Sequence, residues 1–513
     1  MKHFSAIFLI CLIQAFAQGQ SVMTPYQPES LTKIAIDRTQ KYGSALPANV
    51  QVNVPEGFKV SVFYAGSLLQ KPRFMSWSPD DVLHVADLSA QAIFALPDRN
   101  KDGIADTILR IATSVVAHDL AFYRGDIYAA QERSVIRLQD LNKDGFYETR
   151  SDFIAPIAEG ATQPGGGHTT RTILVDSTNG KFYLSIGSRC NVCRADDPES
   201  QDFQRALVEE WNLDGTGRTT FATGIRNAVG LLKRGGRIWA SNNGSDNQGN
   251  DVPPEWIDIL RKDGFYGYPF AHSHGIFFPI TSSSPADYKS LLPFTGIDSA
   301  KVKRMVQPAG LIQAHSAPMA LISGHPNMPK RFRNGIFVAL RGSWNRTPAT
   351  GGKIIYLDFD DEFDTTANYT SDFLTGLMTD STKSSNWGCA RPVGLAIDKQ
   401  GRMYVGSDAN TRCILLVTPP EESGTSIAEQ SHANLPFIST NDGIIRIHWN
   451  SSNELIHRVM VYDMRGTVIA RFSGDELPRD GNLTLNGLSQ GMYVMHAIMK
   501  DGTQTSSNVL LLK

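Results

Sequence analysis

The sequence predicts an all-β chain: a six-bladed β-propeller followed by a small C-terminal β-sandwich. Three observations predict it. One strand-turn-strand phrase returns six times, no long segment sustains a 3.6-residue apolar period, and the text changes character after Val417. At 513 residues and 41% hydrophobic content, the chain can bury one large core and a smaller one beside it.

In chain order, residues 1–17 read as a signal peptide. Lys2 and His3 precede an apolar stretch from Phe4 to Ile13, and Ala15, Phe16 and Ala17 form a small-residue cleavage site. The mature protein is therefore expected outside the cytoplasm, secreted or at the cell surface. Cys11 is a poor lipid anchor, because Ile10 stands where such a signal wants a small residue. No later stretch is long and apolar enough to span a bilayer as a helix. Residues 18–49 read as an N-terminal extension. A net charge of -2 with no run of Lys or Arg argues against nucleic acid and anionic membranes as partners.

The propeller is expected over residues 50–417. Its six phrases begin at Lys71, Ala117, Thr169, Ile225, Ser316 and Ala390, as in IRNAVGLLKRGGRIWASNNG and ARPVGLAIDKQGRMYVGSDA. Each gives an apolar strand, a turn and a second strand, the pattern of blades around a channel. A sandwich gives no reason for the same phrase to return six times. Two loops one blade apart share the pattern D-x-N-x-D-G-x-x-[D/E]: Asp98, Asn100, Asp102, Gly103, Asp106 and Asp140, Asn142, Asp144, Gly145, Glu148. Oxygen donors around a sharp Gly turn make them candidate structural calcium loops, with a solvated Asx turn as the alternative.

Residues 418–436, rich in Pro, Ser and Glu, read as a linker. Alternating segments such as IIRIHW and GMYVMHAIM place a β-sandwich over 437–513. Beyond the signal, four cysteines remain, an even number that in an exported protein is most simply two disulfides, expected as Cys190–Cys193 and Cys389–Cys413. CNVC is followed by Arg194 rather than His, which argues against c-type haem attachment.

Propellers bind ligands at the channel mouth, where the chain enters each innermost strand. The residues there are polar: Arg73, His118 with Asp119, His168 before Thr169 to Arg171, Arg226 with Asn227, His315 and Arg391. So many buried cations need partners, and an anionic ligand would supply them.

The strings VYDMRGTVIARF, LTLNGLSQGMYVMHAI and NVLLLK resemble the C-terminal sorting domain of the type IX secretion system of Bacteroidetes, which implies that secretion machinery as a partner. A carbohydrate-binding module is the competing reading. Over residues 50 to 417, GGGHTTRTILVDSTNGKFYLSIGS, FATGIRNAVGL, WASNNGSDNQGNDVPPEWIDIL, GFYGYPF, VALRGSWNR and ARPVGLAID are similar, in order, to the soluble pyrroloquinoline quinone (PQQ) sugar dehydrogenases, especially the sorbosone dehydrogenase-like branch.

That resemblance implies PQQ and calcium as cofactors, a small-molecule sugar substrate and a separate electron acceptor. It implies His168 as the general base, Arg226 and Asn227 beside the reactive carbonyl, and Arg391 against the cofactor's carboxylates. Gly244, Ser245 and Asp246 fall on the loop that would bring oxygens to a catalytic calcium. A family Lys has no clear counterpart, so Arg341 or Arg346 is the candidate substitute, and His118 joins the candidate cofactor contacts. Cys389 stands where the glucose dehydrogenases carry a second Arg. A calcium-dependent lactonase and a non-catalytic carbohydrate-binding propeller are the alternatives.

Overall fold

The computed structural model describes residues 23–421, apart from 158–166, 202, 379, 381 and 383–387, and beyond them the strands of a second unit. The proposed signal peptide and nearly all of the expected linker lie outside the described residues. The chain divides into two compact units, Met1–Pro420 and Glu421–Lys513.

The first unit is a six-bladed propeller. Its innermost strands are Pro72–Trp77, Ala117–Tyr123, Arg171–Asp176, Ala228–Arg234, Pro318–Ser323 and Ala390–Ile397, in blades 1 to 6. Each neighbours the next around the ring, and the last returns to the first. Within a blade the strands run antiparallel from the channel outward. Neighbouring blades cover both faces of a sheet, so central strands such as Ala92–Leu96 and Ile336–Leu340 are buried along their whole length. This is why they read as continuous apolar runs instead of alternating ones.

Blade 6 takes its outermost strand, Lys59–Ala65, from the start of the propeller, paired with Cys413–Thr418. Val60, Val62, Phe63 and Tyr64 on that strand are almost fully buried, at about 2 kcal/mol of transfer free energy each. The ring is thereby closed by apolar burial. The N-terminal extension edges the outer strands: the Thr24 amide donates to the Leu311 carbonyl, and the Thr370 amide donates to the Pro25 carbonyl.

In blades 1, 2, 4, 5 and 6 the register of the innermost strand slips at its mouth end, for example between Pro72 and Met75 and between Ala390 and Pro392. Such bulges re-aim side chains. Gly230 and Gly394 stand at matching places in VGL, and a Cβ on either would lie 2.3 Å from a carbonyl oxygen of the neighbouring blade's inner strand, at Met319 and Arg73 respectively.

The Cys190–Cys193 disulfide is formed. The second expected disulfide is not: Cys389 and Cys413 are free, buried thiols. The sheet order sets strand Met403–Asn410 between the segments that carry them, with the Thr411 amide donating to the Cys389 carbonyl and Ser407 paired with Cys413. Burial raises the pKa of both thiols, Cys389 to about 11, which keeps them protonated.

The second unit holds two antiparallel sheets among its described residues. One joins Phe437–Asn441, Ile444–His448 and Asn482–Leu485. The other joins Val468–Ser473, Ile456–Asp463, Gly491–Met499 and Gln504–Leu511.

Candidate active site

A cavity of about 380 Å³ opens at the channel mouth. It brings together Arg73, His168, Arg226, Asn227, Gly244, Asp246, His315, Arg341 and Arg391, expected from the sequence, and adds Lys71, Glu255, Trp344 and Asn345. Trp344 is 60% exposed, an indole at the rim.

Three expected residues lie elsewhere. His118 is buried beneath the wall, where its Nδ1 accepts from Arg73 Nε at 3.1 Å and its ring packs on Phe74 at 4.4 Å. Ser245 is buried against a small neighbouring void lined by Tyr266 and Tyr268. Arg346 turns to Asp251 at 2.8 Å. The D-x-N-x-D-G loops are remote from the cavity. Asp98 lines a separate cavity of about 220 Å³ with Trp77 and Asp398, at the ends where the inner strands leave the channel, and it pairs with Arg402 at 3.8 Å. In the first loop the Asp102 and Gly103 amides donate to the Asp98 carboxylate, while Asn100 Nδ2 donates to Asp102. In the second, the Asp144 and Gly145 amides donate to Asp140 and Asn142 Nδ2 donates to Asp144. Asp140, Asp144 and Glu148 have carboxylate oxygens within 4.8 Å of one another.

His168 precedes the inner strand of blade 3. Its Nδ1 lies 2.9 Å from Ser188 Oγ and 3.2 Å from the Ser188 carbonyl, an arrangement that suits a proton on Nδ1 and leaves the Nε2 lone pair available as a base. The backbone continues this link: the His168 amide donates to the Ser188 carbonyl, and the Ser188 amide to the Arg226 carbonyl. A Cβ on Gly187 would lie 2.5 Å from Asn227 Oδ1 and 2.6 Å from His168 Cβ, so glycine there lets base and amide pack together. The ring is enclosed by protein while keeping part of its surface on the cavity. Burial, then the Arg226 charge, lowers its pKa to about 3.

Every N–H of Arg226 is engaged. Nε donates to the Asn191 carbonyl at 3.0 Å, Nη1 to the carbonyls of Gly244 at 2.5 Å and Asn243 at 3.4 Å, and Nη2 to Asn191 Oδ1 and Asp246 Oδ2, both at 3.0 Å. What Arg226 offers the cavity is fixed charge, and the neighbouring Asn227 amide lines the wall as a polar group.

Across the cavity, Asp408 is fully enclosed and accepts from Arg73 Nη1 at 2.5 Å and from Arg341 Nε and Nη2 at 3.0 Å. Arg391 stands on the Arg341 and Gly342 carbonyls, its pKa lowered to about 9 by burial and by the Arg341 charge. Five cations, Lys71, Arg73, Arg226, Arg341 and Arg391, line the wall. Among the described residues, Asp246 pairs with Arg226 and, behind the wall, Asp408 pairs with Arg73 and Arg341. Burial raises the pKa of the Glu255 carboxyl to about 8. A wall so rich in cations has the charge to receive a small polyanion.

A divalent cation finds a less ready seat. The Gly244 carbonyl and Asp246 carboxylate do face the cavity region, but both accept from Arg226, and Asp246 Oδ1 also accepts from Asn345 at 2.9 Å. A cation coordinated there takes these oxygens over from the guanidinium.

Sequence reasoning missed Lys71, Asp408 and Glu255. Asp408 lies within the strand Met403–Asn410, one place after Ser407, and only the sheet register sets it between Arg73 and Arg341.

Comparison with known proteins places this geometry in context. The chain matches the TrAA12-like family over residues 52–419. An uncharacterized protein of Borreliella burgdorferi is 27% identical over 364 residues, covering 70% of this chain and 88% of the relative. A pyrroloquinoline quinone-dependent pyranose dehydrogenase of Coprinopsis cinerea is 26% identical over 298 residues, a match spanning 48% of this chain and 39% of the fungal enzyme. The holo PQQ domain of the Coprinopsis cinerea pyranose dehydrogenase superposes with a TM-score of 0.59 at 21% identity, covering 73% of this chain and 98% of that one. A calcium structure of the Trichoderma reesei family AA12 enzyme gives 0.57 at 20% identity, covering 74% and 99%. With a family match across most of its length, the chain belongs to the TrAA12-like family.

Proposed function

We propose that this protein is an exported, PQQ- and calcium-dependent dehydrogenase that oxidises a hydroxyl carbon of a sugar or a related alcohol or aldehyde. The observation that carries this reading is the cavity wall, where Lys71, Arg73, Arg226, Arg341 and Arg391 surround a histidine whose pKa burial lowers to about 3. PQQ is a planar quinone with three carboxylates, so Lys71, Arg73, Arg341 and Arg391 suit its anionic edge, and when bound it supplies the two-electron acceptor. Gly244 and Asp246, with Ser245, are the proposed calcium oxygens, and the Asp140 loop is a proposed structural calcium site.

His168 Nε2 takes the substrate hydroxyl proton, with Nδ1–H held on Ser188. Burial, then the Arg226 charge, keeps the ring neutral and so ready to accept that proton. The Arg226 charge and the Asn227 amide stabilise negative charge that develops beside them. Trp344 offers an apolar face to a sugar ring at the rim.

The cavity favours this over the hydrolase reading. Five cations line it against two carboxylates, Asp246 and Glu255, whereas a lactonase centre is built on carboxylate and amide oxygens around a metal. We further propose export under the N-terminal signal, passage by the type IX machinery through the second unit, and electron delivery to a separate acceptor.

The test is dye reduction by a panel of aldoses, with PQQ and calcium present, in wild type and His168→Gln. Sugar-driven reduction should fall by roughly 10²–10⁴-fold in the variant. Equal rates would remove His168 from its role, and no reduction by any aldose in the wild type would sink the dehydrogenase reading.

A further inference from the structure

We propose that the Cys190–Cys193 disulfide turn is a positioning device for Arg226, acting through Asn191. The consequence for catalysis rests on the dehydrogenase reading above. The tether itself does not.

Asn191 sits inside the ring closed by the disulfide, which spans three residues. Two of the acceptors that hold Arg226 belong to it: the carbonyl for Nε and Oδ1 for Nη2, each at 3.0 Å. The same Oδ1 accepts the Asp246 amide at 2.7 Å, and Asn191 Nδ2 donates to the Asp246 carbonyl at 3.2 Å and to Asp287 Oδ2 at 2.7 Å. One amide therefore fixes the guanidinium and the carboxylate that neutralises it.

The turn is itself anchored. Val192 is 1% exposed and packs with Tyr268, Phe270 and Phe278. Ser188 Oγ, the group beside His168 Nδ1, donates to the Cys190 carbonyl at 2.7 Å. A single covalently closed turn thus reaches the base, the cation and its counter-charge. Without the cross-link the turn gains conformational freedom, and the amide loses its fixed place.

The experiment uses the full chain as wild type, Asn191→Ala and the double variant Cys190→Ser/Cys193→Ser. Phenylglyoxal modification of Arg226 is followed in the cofactor-free protein by peptide mass spectrometry. Arg234 serves as an internal reference, since it is equally buried at 4% against 5% exposure and bonded to Asn334 and Asp361. Loss of one charge-assisted bond predicts about tenfold faster modification of Arg226 in Asn191→Ala and in the cysteine variant, with Arg234 unchanged. With PQQ and an aldose, kcat should fall roughly tenfold or more while KM stays within about threefold.

An Arg226 rate unchanged in Asn191→Ala, or rising only in step with Arg234, overturns the proposal. A wild type that does not bind PQQ overturns the dehydrogenase reading alone, because the modification rates still report the tether.

Discussion

Asp408 is the sharpest place to perturb the cationic wall. Its side chain has no exposed surface, and it holds Arg73 at 2.5 Å and Arg341 at 3.0 Å. Asp408→Asn keeps the volume and one acceptor oxygen but removes the charge and points an NH2 group at a guanidinium. No cavity is made, so the cost is electrostatic. An exposed pair would lose only about 0–1 kcal/mol. Arg73 is 5% exposed, and its pKa is already lowered to about 10 by burial despite the Asp408 charge, so the loss of its partner belongs with broken buried pairs, at about 3–5 kcal/mol. A ligand carboxylate can return what the mutation took. Urea unfolding followed by tryptophan fluorescence, with and without PQQ, should therefore show a less stable apo protein that gains more from PQQ than wild type does. A loss below about 1 kcal/mol, or a smaller gain from PQQ, would refute Asp408 as the buried counter-charge of this wall.

Two further outcomes follow from the same geometry. Gly187→Ala should cut turnover at least tenfold with folding retained, because the new methyl meets both His168 and Asn227; unchanged kcat would show that their packing is not coupled. Stability should peak near pH 6. Burial lowers His118, His84 to about 4, His272 to about 4 and His168 to about 3, so below an unfolded value of about 6.5 the unfolded chain binds protons that the fold refuses, and stability falls as pH drops. Burial raises Asp119 to about 7 and both Glu255 and Asp258 to about 8, above unfolded values near 4, so that stabilising protonation is lost as pH rises through 7 to 8. Melting temperatures across pH 4 to 9 check this, and a maximum above pH 8 would contradict it.

The ring of blades was legible because burial on both faces turns each inner strand into the same short apolar phrase. Its closure was not, since Lys59–Ala65 reads like any other strand and pairs with Cys413–Thr418 only in three dimensions. Mouth positions were legible as a class, and Arg73, His168, Arg226, Asn227, His315 and Arg391 do share one cavity. His118 holds the matching place in its phrase, yet it sits in the register slip between Ala117 and Asp119 and lies beneath Arg73. Parity alone cannot foresee a bulge. Asp408 was hidden because it stands on the second strand of its phrase, away from the polar start, and Lys71 was passed over although it opens the first phrase. The free thiols Cys389 and Cys413 teach the same lesson, as an even cysteine count carries no information about the strand between them.

The central claim is that this cavity binds a polycarboxylate quinone, and calorimetric titration of PQQ into the calcium-supplemented full chain tests it most directly. One PQQ per chain is expected, with affinity reduced about tenfold or more in Arg391→Ala and in Arg341→Ala, as loss of a charge-assisted contact requires. No binding in the wild type, or binding indifferent to both arginines, would contradict it.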